Sequence, residues 1–190
     1  DFRPDELAAE LERAGAAALS VLTEENRFLG SLRNLDVAAK TVRIPLLRKD
    51  FIYDEYQIHE AKLHGASAVL LIAAALEPNR LRILAESALE IGLDVLGEAH
   101  TEEEIGVLLE SPATLIGVNA RDLKTFECSP ERVARLLRLI PPERLPIAES
   151  AIRGREDVAM LKKAGAVGFL VGEALMRAAS PGAALREILA

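Results

Sequence analysis

The sequence of 190 residues contains no tryptophan, a single cysteine and three histidines, and only 4% of its residues are aromatic. One cysteine, Cys128, excludes a framework of disulfide bonds and favours a reducing compartment, so we expect a cytoplasmic protein. The longest apolar run, Ala68 to Leu76, covers nine residues, whereas a membrane-spanning helix needs roughly 20. The acidic start, Asp1 to Glu10, leads into no long apolar stretch, so we also expect no signal peptide.

Charge limits the possible partners. Acidic residues outnumber basic ones by 30 to 23, which gives a net charge of −7 and no general attraction for nucleic acid. An anionic ligand would have to be held by local groups. No glycine-rich nucleotide loop is present, and His59 and His64 lie five apart on a predicted helix, where they point to different faces. We therefore expect neither a cofactor nor a metal site.

Apolar runs alternate with amphipathic stretches along the whole chain, and no linker divides them, so residues 1–190 are predicted to form one domain. Alternating strands and helices indicate parallel pairing through crossover helices. Glycines that favour a positive φ should end four of the helices, at Gly15, Gly65, Gly92 and Gly165. The seven predicted strands are Ala17–Thr23, Ile44–Phe51, Ser67–Ala74, Leu93–His100, Thr114–Asn119, Leu145–Glu149 and Val167–Val171.

A helix is predicted to come before the first strand, because Pro4 and the acidic residues after it are typical of a helix N-terminus. It should pack on the outside of the sheet through Leu7, Leu11 and Ala14. A closed (β/α)8 barrel needs eight strands. Seven strands therefore fit either a barrel without its first strand or an open doubly wound sheet, and periodicity leaves both folds open.

Polar residues at the carboxyl ends of strands are informative, because function sits there in both folds. Alternation places Leu47, Lys49 and Phe51 on one face of their strand. If that face is the interior of a barrel, Lys49 is a buried ammonium whose pKa burial should lower, which suits a general acid. The alternative is a lysine that keeps an edge strand soluble.

A carboxylate ends the strand that begins at Leu93. Glu98 lies just before a capping box, Thr101 to Glu104, that should start the next helix. In an apolar mouth its pKa should be raised, which suits a base, whereas the alternative is a solvated loop carboxylate. His100 is interpreted as a loop residue before the helix cap rather than as a catalyst.

Three further strand ends carry polar groups or glycine. Asn119 can orient a hydroxyl group, whereas Arg121 could equally pair with the aspartate beside it. Glu149 and Ser150 place a second carboxylate and a hydroxyl at the end of the next strand. Gly172 follows the last strand and opens a short helix, an arrangement whose N–H groups bind anions such as phosphate.

Taken together, these segments resemble indole-3-glycerol phosphate synthase, a tryptophan-biosynthetic family of (β/α)8 TIM barrels. The resemblance covers essentially the whole chain and implies that seven of the eight barrel strands are present. The segments that carry it are Ala18 to Glu24, Pro45 to Ile52, Asn119 to Leu123, Ala148 to Ser150 and Val171 to Arg177.

The resemblance implies a carbon–carbon lyase of the carboxy-lyase class, which acts on a small phosphosugar without cofactor or metal. Its substrate, 1-(2-carboxyphenylamino)-1-deoxyribulose 5-phosphate, becomes indole-3-glycerol phosphate, carbon dioxide and water. Lys49 is then the general acid of ring closure, Glu98 the base of dehydration and Asn119 the residue at the substrate hydroxyls. Phe51 and Leu70 would line the anthranilate pocket, and Gly172 and Glu173 would form the phosphate turn. The substrate-binding residues implied in this way are Phe51, Leu70, Arg121, Glu149, Ser150, Gly172 and Glu173.

Three features depart from the family pattern. The family has a first strand with a glutamate, a lysine and a Ser-Pro-Ser phosphate loop, and this sequence contains no counterpart. Ala151 stands where glycine is usual, so its Cβ should crowd the phosphate and resist a positive φ. Gly97 stands where a large apolar residue is usual, so it should leave space unfilled.

The missing strand leads to further expectations. The edges of Ala17–Thr23 and Val167–Val171 should lack a common neighbour, which favours an open barrel over a closed seven-stranded one and permits self-association through those edges. Turnover should be low. The alternative to an active synthase is a non-catalytic or engineered barrel fragment that retains phosphate binding only. A different phosphosugar barrel, such as a phosphoribosylanthranilate isomerase, would leave Lys49 and Glu98 without a role.

Overall fold

The computed structural model describes residues 2–119 and 129–190. All seven predicted strands are present, and each is shorter than the apolar run that predicted it. The strands are β1 (Leu19–Leu22), β2 (Leu46–Lys49), β3 (Ala68–Ile72), β4 (Asp94–Ala99), β5 (Leu115–Val118), β6 (Leu145–Ala148) and β7 (Gly168–Phe169). The helices are α1 (Pro4–Arg13), α2 (Leu32–Thr41), α3 (Glu55–Leu63), α4 (Pro78–Glu90), α5 (Glu102–Leu109), α6 (Pro130–Leu137), α7 (Arg155–Lys163), α8 (Glu173–Met176) and α9 (Pro181–Leu189), with a 3₁₀ turn at Ala73–Ala75.

The strands form one parallel sheet in the order β1 to β7, so that each strand pairs with its neighbours in sequence. This order is that of a βα barrel, because a doubly wound sheet reverses its strand order at a switch point. Among the described residues no ladder joins β1 to β7, so the sheet curls without closing. The predicted TIM-barrel family fold, in its open form, is confirmed.

The helices bridge the gap that the strands leave. Helix α1 packs against α9, and the Glu10 carboxylate accepts hydrogen bonds from the Gly182 backbone N–H at 2.7 Å and the Ser180 hydroxyl at 2.9 Å. A Cβ at Gly182 would lie 2.8 Å from the Glu10 side chain, so only glycine permits this close approach. The predicted packing of the first helix is confirmed for Leu7, Leu11 and Ala14.

Two apolar layers flank the sheet. The larger one lies between the strands and the helices. The smaller one lies inside the curl of the sheet and consists of Leu47, Leu70 and Leu96 with partly buried neighbours. Because Leu47 and Leu96 precede Lys49 and Glu98 by two residues, the inner cluster lies about 6–7 Å below those charged groups. It forms the floor beneath them.

Glycines behave as predicted at the helix ends and differently inside β4. Positive φ angles of 72° to 109° occur at Gly15, Gly65, Gly92 and Gly165. The expectation of unfilled space at Gly97 is wrong, because a Cβ there would lie 2.6 Å from a methyl group of Leu108. Helix α5 occupies that space. No helix in the described part of the chain is long and apolar enough to cross a membrane.

Candidate active site

One ammonium and two carboxyl groups meet at the carboxyl ends of the strands. Lys49 ends β2, and its Nζ lies 3.1 Å from Glu98 Oε2 in β4 and 3.2 Å from Glu149 Oε2 after β6. The side chains are 16%, 5% and 1% exposed, respectively. Since β2 has neighbours on both sides, the alternative of an edge-strand lysine is wrong. Burial equally rules out a solvated loop carboxylate at Glu98.

The residues on either side of Lys49 point the opposite way, into the helix layer, and hold the end of β2 in place. Arg48 is buried, and its guanidinium lies 3.0 Å from Asp50 Oδ2 and 2.9 Å from Glu60 Oε2 on α3. Asp50 also accepts hydrogen bonds from the Thr23 hydroxyl and from the backbone N–H of the next residue. This network was not predicted from the sequence, although the alternating Arg-Lys-Asp order was a signal for it.

The protonation of Lys49 differs from the sequence prediction. Burial by itself lowers the pKa of an ammonium, but the negative charges of Glu149 and Glu98 outweigh it and raise the pKa of Lys49 above its ordinary value. The predicted lowering is therefore wrong. It took no account of two carboxyl groups that lie 49 and 100 residues away in sequence.

The two carboxyl groups have opposite pKa shifts. Burial acts to raise the pKa of Glu98, but the Lys49 ammonium lowers it on balance. Glu149 is completely enclosed, and burial followed by the charge of Glu98 raises its pKa to about 8. The predicted rise in the pKa of Glu98 is therefore wrong. The carboxyl group whose pKa is raised is that of Glu149. At neutral pH the cluster contains charged Lys49, ionised Glu98 and protonated Glu149, and it carries no net charge.

A glycine makes the position of Glu149 possible. Gly117 in β5 faces the inside of the sheet, and a Cβ at this residue would overlap the Glu149 carboxyl. The register supports this contact, because Gly117 pairs with Ile147, two residues before Glu149. From the sequence, Gly117 is predicted only as part of the apolar strand Thr114–Asn119.

Two polar side chains near the cluster lack hydrogen-bond partners. Asn119 Oδ1 and Ser150 Oγ are buried and have no partner among the described residues. They follow β5 and β6, the strands that carry Gly117 and lead into Glu149. Buried polar atoms in native proteins are almost always hydrogen-bonded, so these two are suited to a polar ligand. Both were predicted from their places at strand ends.

An aromatic pair lies in the loops that follow β1 and β2. Phe51 stacks on Phe28, with ring centroids 5.1 Å apart and planes 22° apart. The loop that carries Phe28 is held by the Glu24 carboxylate, which accepts hydrogen bonds from three backbone N–H groups. Phe51 was predicted as a lining residue, whereas Phe28 was missed. Leu70, the other predicted lining residue, is 1% exposed and belongs to the apolar floor.

The predicted phosphate turn lies three residues beyond β7, because that strand ends at Phe169 rather than at Val171. Gly172 precedes α8, and a Cβ at Gly172 would meet nothing within 4 Å. The Glu173 carboxylate accepts hydrogen bonds from the Arg177 guanidinium at 3.0 Å. This contact directs the carboxylate towards the next turn of α8. Ala151 has a φ of +65°, so this position does need the conformation that strains an alanine.

His100 was interpreted as a loop residue before the helix cap, and it does directly precede the N-cap residue Thr101 of α5. Its ring, however, also reaches the cluster: Nε2 lies 3.4 Å from Glu98 Oε1, and Nδ1 lies 3.2 Å from Glu104 Oε2. The sequence held a signal for this contact, because Glu98 and His100 are two residues apart at the end of a strand.

Two further predictions concern Arg121 and metal binding. Arg121 lies outside the described residues. In residues 2–119 and 129–190, no group of three or more histidine, cysteine, aspartate or glutamate side chains is arranged to hold a metal ion.

Comparisons with known proteins point to one family. A family model described as indole-3-glycerol phosphate synthase matches residues 1–188. The indole-3-glycerol phosphate synthase of Koribacter versatilis is 53% identical over 183 residues, which cover 96% of this chain and 70% of that protein. The one from Alkaliphilus metalliredigens is 47% identical over 188 residues, with 99% and 72% covered. The one from Mycolicibacterium gilvum is 48% identical over 186 residues, with 98% and 68% covered.

Solved structures resemble the fold at much lower identity. Thiamine phosphate pyrophosphorylase from Pyrococcus furiosus superposes with a TM-score of 0.76 at 15% identity, covering 97% of this chain and 87% of that one. A structure described as native KDPGal superposes with a TM-score of 0.70 at 17% identity, covering 99% and 88%. These two likenesses concern the βα-barrel fold alone.

Proposed function

The chain belongs to the indole-3-glycerol phosphate synthase family, and on that premise we propose that Lys49, Glu98 and Glu149 form its catalytic centre. The reaction is that of a carboxy-lyase, which forms indole-3-glycerol phosphate from 1-(2-carboxyphenylamino)-1-deoxyribulose 5-phosphate. One observation carries the assignment of residues: the buried Lys49 ammonium contacts two buried carboxyl groups, and their surroundings shift the two pKa values in opposite directions. Such divergent pKa values are typical of acid–base sites.

Ring closure is the first half of the reaction. A carbon–carbon bond forms between the ring carbon that bears the carboxylate and the carbonyl carbon of the sugar. The carbonyl oxygen gains negative charge and takes a proton from Lys49. An alkoxide is more basic than an amine, so this transfer is favourable even though the pKa of Lys49 is raised. Carbon dioxide then leaves, and its bonding electrons restore the aromatic ring.

Dehydration is the second half. Neutral Glu149 gives its proton to the hydroxyl group on the former carbonyl carbon, which leaves as water, and the adjacent methylene group loses a proton to the Glu98 carboxylate. Glu98 suits this removal, because its lowered pKa keeps it ionised at neutral pH and ready to accept a proton. Glu149 is neutral at the same pH, so it can donate a hydrogen bond without adding a second negative charge.

The surroundings suit the two ends of the substrate. The stacked rings of Phe28 and Phe51 offer an apolar wall for the anthranilate ring. Asn119 Oδ1 and Ser150 Oγ, buried without partners among the described residues, are suited to the sugar hydroxyls. We place the phosphate at the backbone N–H groups of the Gly172–Glu173 turn, where the Glu173 carboxylate is drawn towards Arg177.

The activity is tested by incubating the 190-residue chain with the carboxyphenylamino-deoxyribulose phosphate and following indole fluorescence. We expect product at a turnover below about 1 s⁻¹, the lower end of typical enzymes, because the sequence lacks the glutamate and lysine of the family's first strand. A folded chain that forms no product but binds phosphate would contradict this function and favour the non-catalytic alternative. A stable monomer that exceeds that turnover would show that the first-strand residues are dispensable.

Phosphate binding is tested separately by amide NMR. Millimolar amounts of a phosphate ester should shift the Gly172 N–H signal, and the affinity should be weak because Ala151, at a φ of +65°, stands where the family usually has glycine. An unchanged Gly172 signal would contradict the placement of the phosphate.

Two further predictions concern the association of the 190-residue chain and the location of the protein. Self-association through the open edges of β1 and β7 should appear as concentration-dependent sedimentation, because unpaired strand edges template association. A cytoplasmic location, which the single cysteine favours, is tested by cell fractionation.

A further inference from the structure

A histidine lies between a carboxylate of the proposed centre and a second carboxylate outside it. His100 Nε2 faces Glu98 Oε1 at 3.4 Å, and Nδ1 faces Glu104 Oε2 at 3.2 Å. Its side chain is 12% exposed. Both ring nitrogens therefore face oxygen atoms that accept hydrogen bonds. A neutral ring can donate to only one of them, whereas a ring protonated on both nitrogens can donate to both.

The two oxygen atoms of Glu98 have different partners. Oε2 contacts the Lys49 ammonium at 3.1 Å, and Oε1 faces His100. These contacts come from opposite sides of the carboxylate, one from β2 and one from the loop after β4 itself. The histidine contact therefore uses an oxygen atom that Lys49 does not contact.

The ring of His100 is held by the backbone as well as by its own contacts. Glu104 accepts a hydrogen bond from the His100 backbone N–H at 2.7 Å with the same oxygen that faces Nδ1. The Thr101 hydroxyl caps α5 by accepting the Glu104 N–H at 3.2 Å. On the other side, Arg132 in α6 donates to the His100 carbonyl at 3.3 Å. Helix α5 thus holds both the backbone N–H and the Nδ1 of His100, and α6 holds its backbone carbonyl.

We propose that His100 is a positioning residue that holds the Glu98 carboxylate in place while Lys49 serves the substrate. This role rests on the proposed function of Glu98 as the base. Four ionisable groups surround the contact: Lys49, Glu98, Glu149 and Glu104. When Lys49 transfers its proton, it no longer attracts Glu98, and His100 keeps the carboxylate aimed at the methylene group for dehydration.

The first arm of the test needs no turnover. Histidine ring nitrogens are labelled with ¹⁵N in the 190-residue chain and compared with Glu98→Gln and Glu104→Gln variants. We expect Glu98→Gln to shift the Nε2 signal of His100 and Glu104→Gln to shift the Nδ1 signal. His64, whose Nδ1 faces Asp36 at 2.9 Å, serves as the internal control and should not respond. Unchanged His100 signals in Glu98→Gln would overturn the proposal.

The second arm measures kinetics in the active protein. His100→Ala should lower kcat on the order of tenfold while KM changes little, because the base is misplaced rather than removed. The acid limb of the kcat–pH profile should move to higher pH, because His100 helps to lower the pKa of Glu98. His100→Gln, which keeps an N–H donor, should recover part of the rate, and His64→Ala should leave it unchanged.

The two arms separate this proposal from the function on which it rests. If the parent chain shows no turnover, the proposed function fails, and the ring spectra still decide whether His100 holds Glu98. If the parent is active and His100→Ala keeps both its kcat and its pH profile, the positioning role is refuted even when the variant is less stable.

Discussion

Gly117 lies against the carboxyl group of Glu149, at a position where a methyl group would overlap it. Gly117 lies in β5 and Glu149 directly follows the adjacent strand β6, and the register pairs the glycine with Ile147, two residues before Glu149. The absence of one side chain thus allows a fully buried carboxyl to stand next to Lys49 and Glu98. That burial is the main reason why the pKa of Glu149 rises to about 8.

Gly117→Ala should displace Glu149 and weaken the fold. The added methyl group overpacks a buried site, which typically lowers the free energy of unfolding by about 1–3 kcal/mol. Urea denaturation measures this change. Gly106→Ala is the matched control, because a Cβ at that position in α5 meets nothing within 4 Å and should stabilise the helix by about 0.5–1 kcal/mol. Equal stability of the Gly117→Ala and parent proteins would contradict the close approach.

Lys49→Met should abolish ring closure while it leaves phosphate affinity largely intact. Methionine keeps most of the side-chain volume but has no proton to give, and loss of a general acid typically lowers the rate about 10²–10⁴-fold. Indole fluorescence measures the rate, and amide NMR measures phosphate binding. Lys62→Met is the control, since the exposed Lys62 ammonium donates to the Gly92 carbonyl, away from the cluster. Full turnover in Lys49→Met would refute the role of Lys49.

Glu149 should make the protein less stable as the pH rises from about 4.5 to about 8. In the unfolded chain the carboxyl ionises near 4.5, whereas in the folded chain it keeps its proton up to about 8. The folded state therefore binds more protons across this window, so the free energy of unfolding falls as the pH rises and levels off above it.

Glu149→Gln tests this dependence. The variant should lose less stability than the parent between pH 5 and pH 8 in urea denaturation, because glutamine does not titrate. Glu86→Gln, at an exposed residue paired with Arg82, should decline as the parent does. If the Glu149→Gln and parent curves fall in parallel, Glu149 does not hold its proton in the folded state.

Ala151→Gly should stabilise the protein by about 0.5–1 kcal/mol. Relief of a positive φ is worth about 1–2 kcal/mol, and the greater freedom of glycine in the unfolded chain offsets part of it. Thermal or urea denaturation measures the gain. Ala164→Gly, at a buried alanine with a φ of −83°, should instead destabilise the fold. Phosphate affinity should rise in Ala151→Gly if the strained turn limits binding.

The sequence predicted the strands because each one is a short, nearly continuous apolar run, which is the pattern of a parallel sheet covered on both faces. It overestimated every strand length, since the apolar pattern continues into the loops that line the site. At β7 the ladder spans only Gly168–Phe169, although the apolar run continues to Val171.

The positions of Lys49 and Glu98 at strand ends were predicted from the sequence, whereas the direction of their pKa shifts was predicted wrongly. Lys49 and Glu98 were treated as isolated buried groups, and for each of them the partner charge reverses the sign of the pKa shift. Phe28 was missed because it lies in a loop without periodicity, where only its contact with Phe51 reveals its place. Contacts between residues that are distant in sequence thus determine the pKa shifts of Lys49 and Glu98 and the place of Phe28, which the local pattern does not show.

The hydrogen bonds from Gly182 and Ser180 to Glu10 connect residues 172 and 170 positions apart in the chain. Such a contact can form only after nearly the whole polypeptide has been arranged, and the entropy of closing so long a loop opposes it. No strand ladder among the described residues reinforces this boundary between α1 and α9. We therefore expect the contact between α1 and α9 to form last and to open first. Amide hydrogen exchange should begin there while β3 and β4 remain protected.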